Sequence, residues 1–120
     1  MNHQTLTNEE INTYLAEKIL RWTLDEQKVW RNEKSHLMFI SSHSAVLSAD
    51  PQWNPTQDAN HLEQVLQEVV KDDELSYRFI HEFITDSSCT HERMMRTYFN
   101  STTEKKARAI VAAHLSLTQY

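Results

Sequence analysis

The chain has 120 residues (14.2 kDa), with 17 acidic side chains against 12 Lys and Arg, a formal net charge of −5 with histidine neutral. That length fits a single domain, 1–120, with a core of its own. A negative field excludes non-specific binding to nucleic acid or to an anionic membrane as the main activity, and it admits a partner with a basic surface.

The one cysteine, Cys89, cannot close an internal disulfide, which fits a reducing compartment. Glu9, Glu10 and Glu17 interrupt the first twenty residues and argue against a signal peptide. No apolar run approaches the ~18 residues of a membrane span. A cytoplasmic protein is expected. The chain has no glycine. Neither the Rossmann fingerprint nor the P-loop can be written without it, and positions with positive φ should fall to Asn or Asp.

Residues 1 to 6 are polar and expected to fray. Thr7-Asn8-Glu9-Glu10 is a capping box, and Ile11, Tyr14, Leu15, Lys18, Ile19 and Trp22 follow at helical spacing. The pattern predicts a helix over 8 to 23, with Lys18 and Arg21 favourably placed near its C-terminal end. Residues 24 to 35 read as a charged connection, and Leu37-Met38-Phe39-Ile40 as a short strand. Residues 41 to 57 form a long polar stretch in which Val46 and Leu47 could add a strand.

Trp53-Asn54-Pro55 halts the chain before a helix capped by Thr56 or Asp58. Leu62, Val65, Leu66 and Val69 are its core stripe, and it ends near Lys71. Asp72-Asp73-Glu74 reads as a turn. Ser76 to Ile84 alternates and predicts a strand, Asp86-Ser87-Ser88 a hairpin turn, and Met94 to Asn100 the returning strand. A second capping box, Ser101 to Glu104, opens a last helix over 102 to 117, with Ala107, Ile110, Val111 and His114 inward. The sum is an α+β domain: a small antiparallel sheet packed by three helices, in an α-β-α sandwich-like arrangement.

Several segments carry a resemblance. "NEEINTYLAEKILRWTL", residues 8–24, resembles the opening helix of the phage ABA-sandwich domain family, which begins with an "EEIN…IAEKVMGW"-like stretch. "WNPTQDANHLEQVLQEVV", residues 53–70, is similar to that family's "NPSTD…A…VVEKL" segment. The predicted strand–turn–strand resembles its closing hairpin, and "TTEKKARAIVAAHLSL", residues 102–117, its closing helix. The resemblance implies an α–β–α arrangement and a phage or prophage origin, and no catalytic residue. The chain departs from the pattern at Leu20-Arg21-Trp22, where the family has a glycine, and in the aromatic stretch before the second segment.

Little suggests catalysis. His81, Cys89 and His91 lack the paired spacing of a zinc site. Cys89 with either histidine lacks an orienting third group, so it reads as an ordinary thiol. His36 and His43 among Ser41, Ser42 and Ser44 read as a polar loop. Trp30, Tyr77, Tyr98 and Phe99 read as core rather than as a stacking platform. No metal, cofactor or enzymatic activity is expected.

Two charge patterns stand out. Glu68, Asp72, Asp73 and Glu74 form an acidic cluster where a helix C-terminus would disfavour it, with Lys71 offsetting part of the charge. Lys105, Lys106 and Arg108 crowd a helix N-terminus, the wrong sign for the dipole, and Arg93 and Arg96 could join them around an anion. The first pattern favours a non-enzymatic phage accessory protein, anti-CRISPR-like, that binds and inhibits a host defence protein through carboxylates in a basic channel. The second favours a binder of a small molecule such as a signalling nucleotide. A phage structural or assembly protein is the further alternative.

Overall fold

The computed structural model describes residues 6–41, 52–83 and 90–118. Thr7 opens helix α1, Asn8–Tyr14, with the expected capping box. Its Oγ1 accepts from Glu10 N–H (3.2 Å), and Glu10 Oε1 accepts from Thr7 N–H (3.1 Å). Leu6 is buried rather than frayed. The helix widens into a π-helical turn, Leu15–Ile19, where Leu20 N–H reaches Leu15 O. A π turn takes in an extra residue and re-aims all that follows. The chain then leaves the helix through Arg21 at φ 59°, and Trp22 turns into the core.

Residues 24 to 35 are not a plain connection. They contain most of a meander: β1 (Thr23–Leu24), β2 (Val29–Arg31) and β3 (Leu37–Ile40), antiparallel in that order, with Trp30 opposite Phe39. The first two strands are too short for alternation to show. Both turns use one device. Asp25 Oδ1 accepts from Gln27 and Val29 N–H, and Asn32 Oδ1 accepts from Lys34 and His36 N–H. The third residue after each takes the left-handed conformation: Lys28 (φ 61°) and Ser35 (φ 66°). Contrary to the expectation for a glycine-free chain, Asn and Asp do not occupy the positive-φ positions among the described residues. They brace the turns from the first position, while Arg21, Lys28 and Ser35 bear a cost of about 1 kcal/mol each.

Helix α2, Ala59–Val69, is capped by Asp58, which accepts from Asn60 and His61 N–H. Thr56 is instead buried and tied to α1. Asn12 Oδ1 accepts from Thr56 N–H (3.1 Å), Asn12 Nδ2 donates to Asn54 Oδ1 (3.1 Å), and Trp53 Nε1–H donates to Asn12 O (2.8 Å). His61 Nδ1 accepts from Asn54 N–H, and its ring stacks on Trp53 and packs on Phe39. Trp22 completes this aromatic cluster, which joins sheet to helices.

The second half departs from expectation. Residues 73–81 are helix α3 (Asp73–His81), not a turn and a strand, and 91–99 are helix α4 (His91–Phe99), not a returning strand. Leu75, Phe79 and Phe83 recur every four residues and are buried, while Tyr77 is 64% exposed. The same aromatic-rich letters satisfy both periods, and packing chose the helical one. The predicted hairpin turn at 86–88, Ile84, Val46 and Leu47 lie outside the described residues.

Helix α5, Thr103–Thr118, begins as expected, but Thr102 caps it by accepting from Lys105 N–H, and Glu104 turns to Arg108 instead of closing a box. α5 packs on α1, α2 and α3, with Ala107, Ile110 and Val111 fully buried. The fold is α+β with a small antiparallel sheet, as expected, but the strands come from 23–40, and α1, α2 and α5 are joined by α3 and α4.

The Asn12 network yields a stability test. Asn12→Ala strips the acceptor from Thr56 N–H, in a residue only 1% exposed. We expect a loss of about 2 kcal/mol in urea unfolding, whereas Asn12→Asp, which keeps the acceptor, should lose less.

Candidate functional site

The residues singled out by charge are largely engaged in the fold. Asp72 is the N-cap of α3, accepting from Glu74 and Leu75 N–H, and Asp73 and Glu74 occupy its first turn. Carboxylates there favour the helix dipole. For Asp72, Asp73 and Glu74 the electrostatic conflict that set this cluster apart is absent, because they begin a helix, while Glu68 stays in the last turn of α2. Glu68 Oε1 pairs with Lys71 Nζ at 2.9 Å, and Glu74 lies 3.7 Å from Arg78.

The basic group is dispersed in the same way. Arg93 and Arg96 lie on α4, not on or beside a strand, and Arg96 pairs with Glu92 at 2.7 Å. Arg108 fastens the chain's start to α5: its guanidinium donates to Leu6 O and Asn8 Oδ1 (both 2.8 Å) and meets Glu104. Lys106 sits 4.5 Å from the centre of the Tyr98 ring. Lys105 is exposed.

His81 is exposed and packs its ring against Tyr77. Ser42, His43, Ser44 and Cys89 lie outside the described residues, as does the side chain of His91. Trp30 is buried and Tyr98 packs on Phe79 and Phe83, as expected of core rings, whereas Tyr77 and Phe99 are exposed. Among the described residues no three His, Cys, Asp or Glu side chains gather as a metal site, and no helix is long and apolar enough to cross a membrane.

A different place gathers unpaired charge. A cleft of about 660 Å³ opens where three unusual backbone features meet. One wall is the end of the π turn and the left-handed Arg21, presenting Lys18, Ile19, Leu20 and Arg21. The second is the β2–β3 turn around left-handed Ser35, presenting Asn32, Glu33, Lys34 and His36. The third is the α2–α3 junction, with Glu68, Lys71, Asp72 and Leu75, and α5 contributes His114. Lys71 is satisfied by Glu68. Among the described residues Lys18, Arg21 and Lys34 have no carboxylate within ion-pair distance. Strained non-glycine residues and π turns concentrate at functional sites, and here they carry or flank all three cations.

His114 is a half-buried titratable group of the cleft. Its Nδ1 lies 2.6 Å from Tyr14 Oη. Burial, and secondarily the Lys18 ammonium, hold the imidazole below its ordinary range against the opposing pull of Asp72. Burial pushes the Tyr14 phenol up.

Sequence reasoning missed this site. Lys18 and Arg21 read as good helix-end charges, and Lys34 and His36 as the approach to a strand. Their common feature is proximity across a sheet whose first two strands were not visible. No family model, no curated protein and no solved structure matches the chain.

The two lowered histidines set a pH dependence. His61 is lowered mainly by burial, and His114 likewise. A depressed folded value means that the unfolded chain takes up protons first as pH falls through about 6.5, so stability is complete above that value and declines below it. Urea midpoints should change little from pH 7.5 to about pH 6.5 and fall from there to pH 5.5, and His114→Gln should flatten the decline.

Proposed function

We propose that the protein is a non-enzymatic binding protein that holds a small anionic ligand in this cleft. The observation that supports it is the convergence of Lys18, Arg21 and Lys34, each without an acidic partner, on one concavity of a chain that is acidic as a whole. The cleft lies in the size range of small-molecule sites. A thermal-shift panel of phosphates, nucleotides and polycarboxylates tests this. A true ligand at about 100 times its Kd adds ~2.7 kcal/mol, and that gain should vanish in the triple variant Lys18→Gln/Arg21→Gln/Lys34→Gln. A flat panel would remove the proposal.

A second reading keeps a protein partner. Val70 and Tyr77 are 67% and 64% exposed, and Asp73 and Glu74 lie between them in sequence, on the α3 first turn. An exposed Tyr beside carboxylates suits a contact with a basic protein surface. A phage accessory protein that blocks a host defence complex would use this face. Its phage origin is supported by the family resemblance alone. Capture of one partner from host lysate, lost on Tyr77→Ala and weakened by salt, would favour it. Capture unaffected by that change would dismiss this face.

A further inference from the structure

We infer that the cleft takes a compact, doubly charged oxyanion, the terminal phosphate group of a small ligand, and that His114 is one of the donors that hold it. This rests on the anion-binding proposal above. His114 is the single cleft residue supplied by α5, and Tyr14, which does not line the cleft, stands behind it on α1. The two rings meet edge to face at 5.5 Å, with Tyr14 Oη 2.6 Å from Nδ1. A phenol kept protonated by burial has a proton to place, and Nδ1 is the acceptor beside it. An imidazole that accepts at Nδ1 carries its own proton at Nε2. Among the described residues Nε2 has no protein partner. Tyr14 therefore acts as a positioning residue, setting the tautomer so that a neutral donor remains for the cleft.

The ligand class follows from the rest of the lining. Lysine ammonium groups are compact point charges suited to phosphate, and Arg21 adds a fork. Among the described residues no Trp, Tyr or Phe lines the cleft, so it lacks the large rings on which a nucleobase stacks best. The apolar part is confined to Ile19, Leu20 and Leu75. A phosphate on a small, non-aromatic body fits this better than a nucleotide.

A dianion beside the imidazole favours its protonated form, and Tyr14 Oη can then accept from Nδ1. Binding should take up a proton. The charged groups that face His114 are Lys18 from the π turn and Asp72 ahead of α3; Arg21, Glu33, Lys34, His36, Glu68 and Lys71 complete the titratable lining. Of these, His36 is the other imidazole, and its variant is the control.

Calorimetric titration with inorganic sulfate, whose charge is constant over that range, tests the inference, with inorganic phosphate, AMP and adenosine compared at pH 7.5. Sulfate affinity should rise roughly fivefold to tenfold as pH falls from 7.5 to 5.5, persist in His36→Gln and be lost in His114→Gln. The side-chain nitrogen shifts of His114 should show an Nε2–H tautomer that Tyr14→Phe, which keeps the ring packing, abolishes. If the anions bind with dependence on Lys18 and Lys34 but His114→Gln leaves the pH profile unchanged, the role of His114 is overturned and the anion cleft stands. If adenosine binds as tightly as AMP, the phosphate assignment is overturned. If neither sulfate nor phosphate binds at millimolar concentration, the inference and the cleft's proposed function fall together.

Discussion

Asn12 ties the two ends of the fold's logic together. One side chain and one carbonyl on α1 receive Thr56, Asn54 and Trp53, the residues that bring the chain into α2. That clasp seats Trp53 beside Trp22 and Phe39, and so joins the meander to the helices. It also sets where α2 begins and, eleven residues on, where its far end meets the π turn. The cleft lies between that end, the π turn and the β2–β3 turn. Buried polar networks of this kind specify one arrangement when every member is satisfied, and among the described residues no buried side-chain polar atom lacks a partner.

Much of the helical fold was legible in the letters. Thr7 with Glu10 and Asp58 after Pro55 are side-chain devices that act within a few residues, so sequence spacing suffices to read them. The stripes of α2 and α5 are regular and buried. The failures have specific causes. β1 and β2 are two and three residues long, below the length at which alternation can be seen. In Ser76 to Phe83, Phe79 and Phe83 fit a two-residue period as well as a four-residue one, and Tyr, Phe and Ile weigh towards strand. Asp72 looked like the tail of one helix and is the head of the next. That single change of register reverses the sign of the dipole argument on which the acidic cluster depended.

The candidate site was not legible for a related reason. Its cations come from segments 13 to 16 positions apart, and each has an ordinary local explanation. What distinguishes Lys18, Arg21 and Lys34 is that they converge on one concavity without a carboxylate partner, a property of the folded chain. Other cations of the chain are paired: Arg31 with Asp25, Lys71 with Glu68, Arg96 with Glu92, Arg108 with Glu104. Exposed pairs contribute little individually, but those four cations have a carboxylate within reach and the three that line the cleft do not.

The most direct test of the cleft is a backbone amide shift map during titration with inorganic pyrophosphate. The account predicts saturable shifts concentrated at residues 18–21, 32–36, 68–72 and 114. Saturable shifts centred instead on Lys105 and Lys106 at the start of α5, or shifts that grow linearly without saturating, would contradict it.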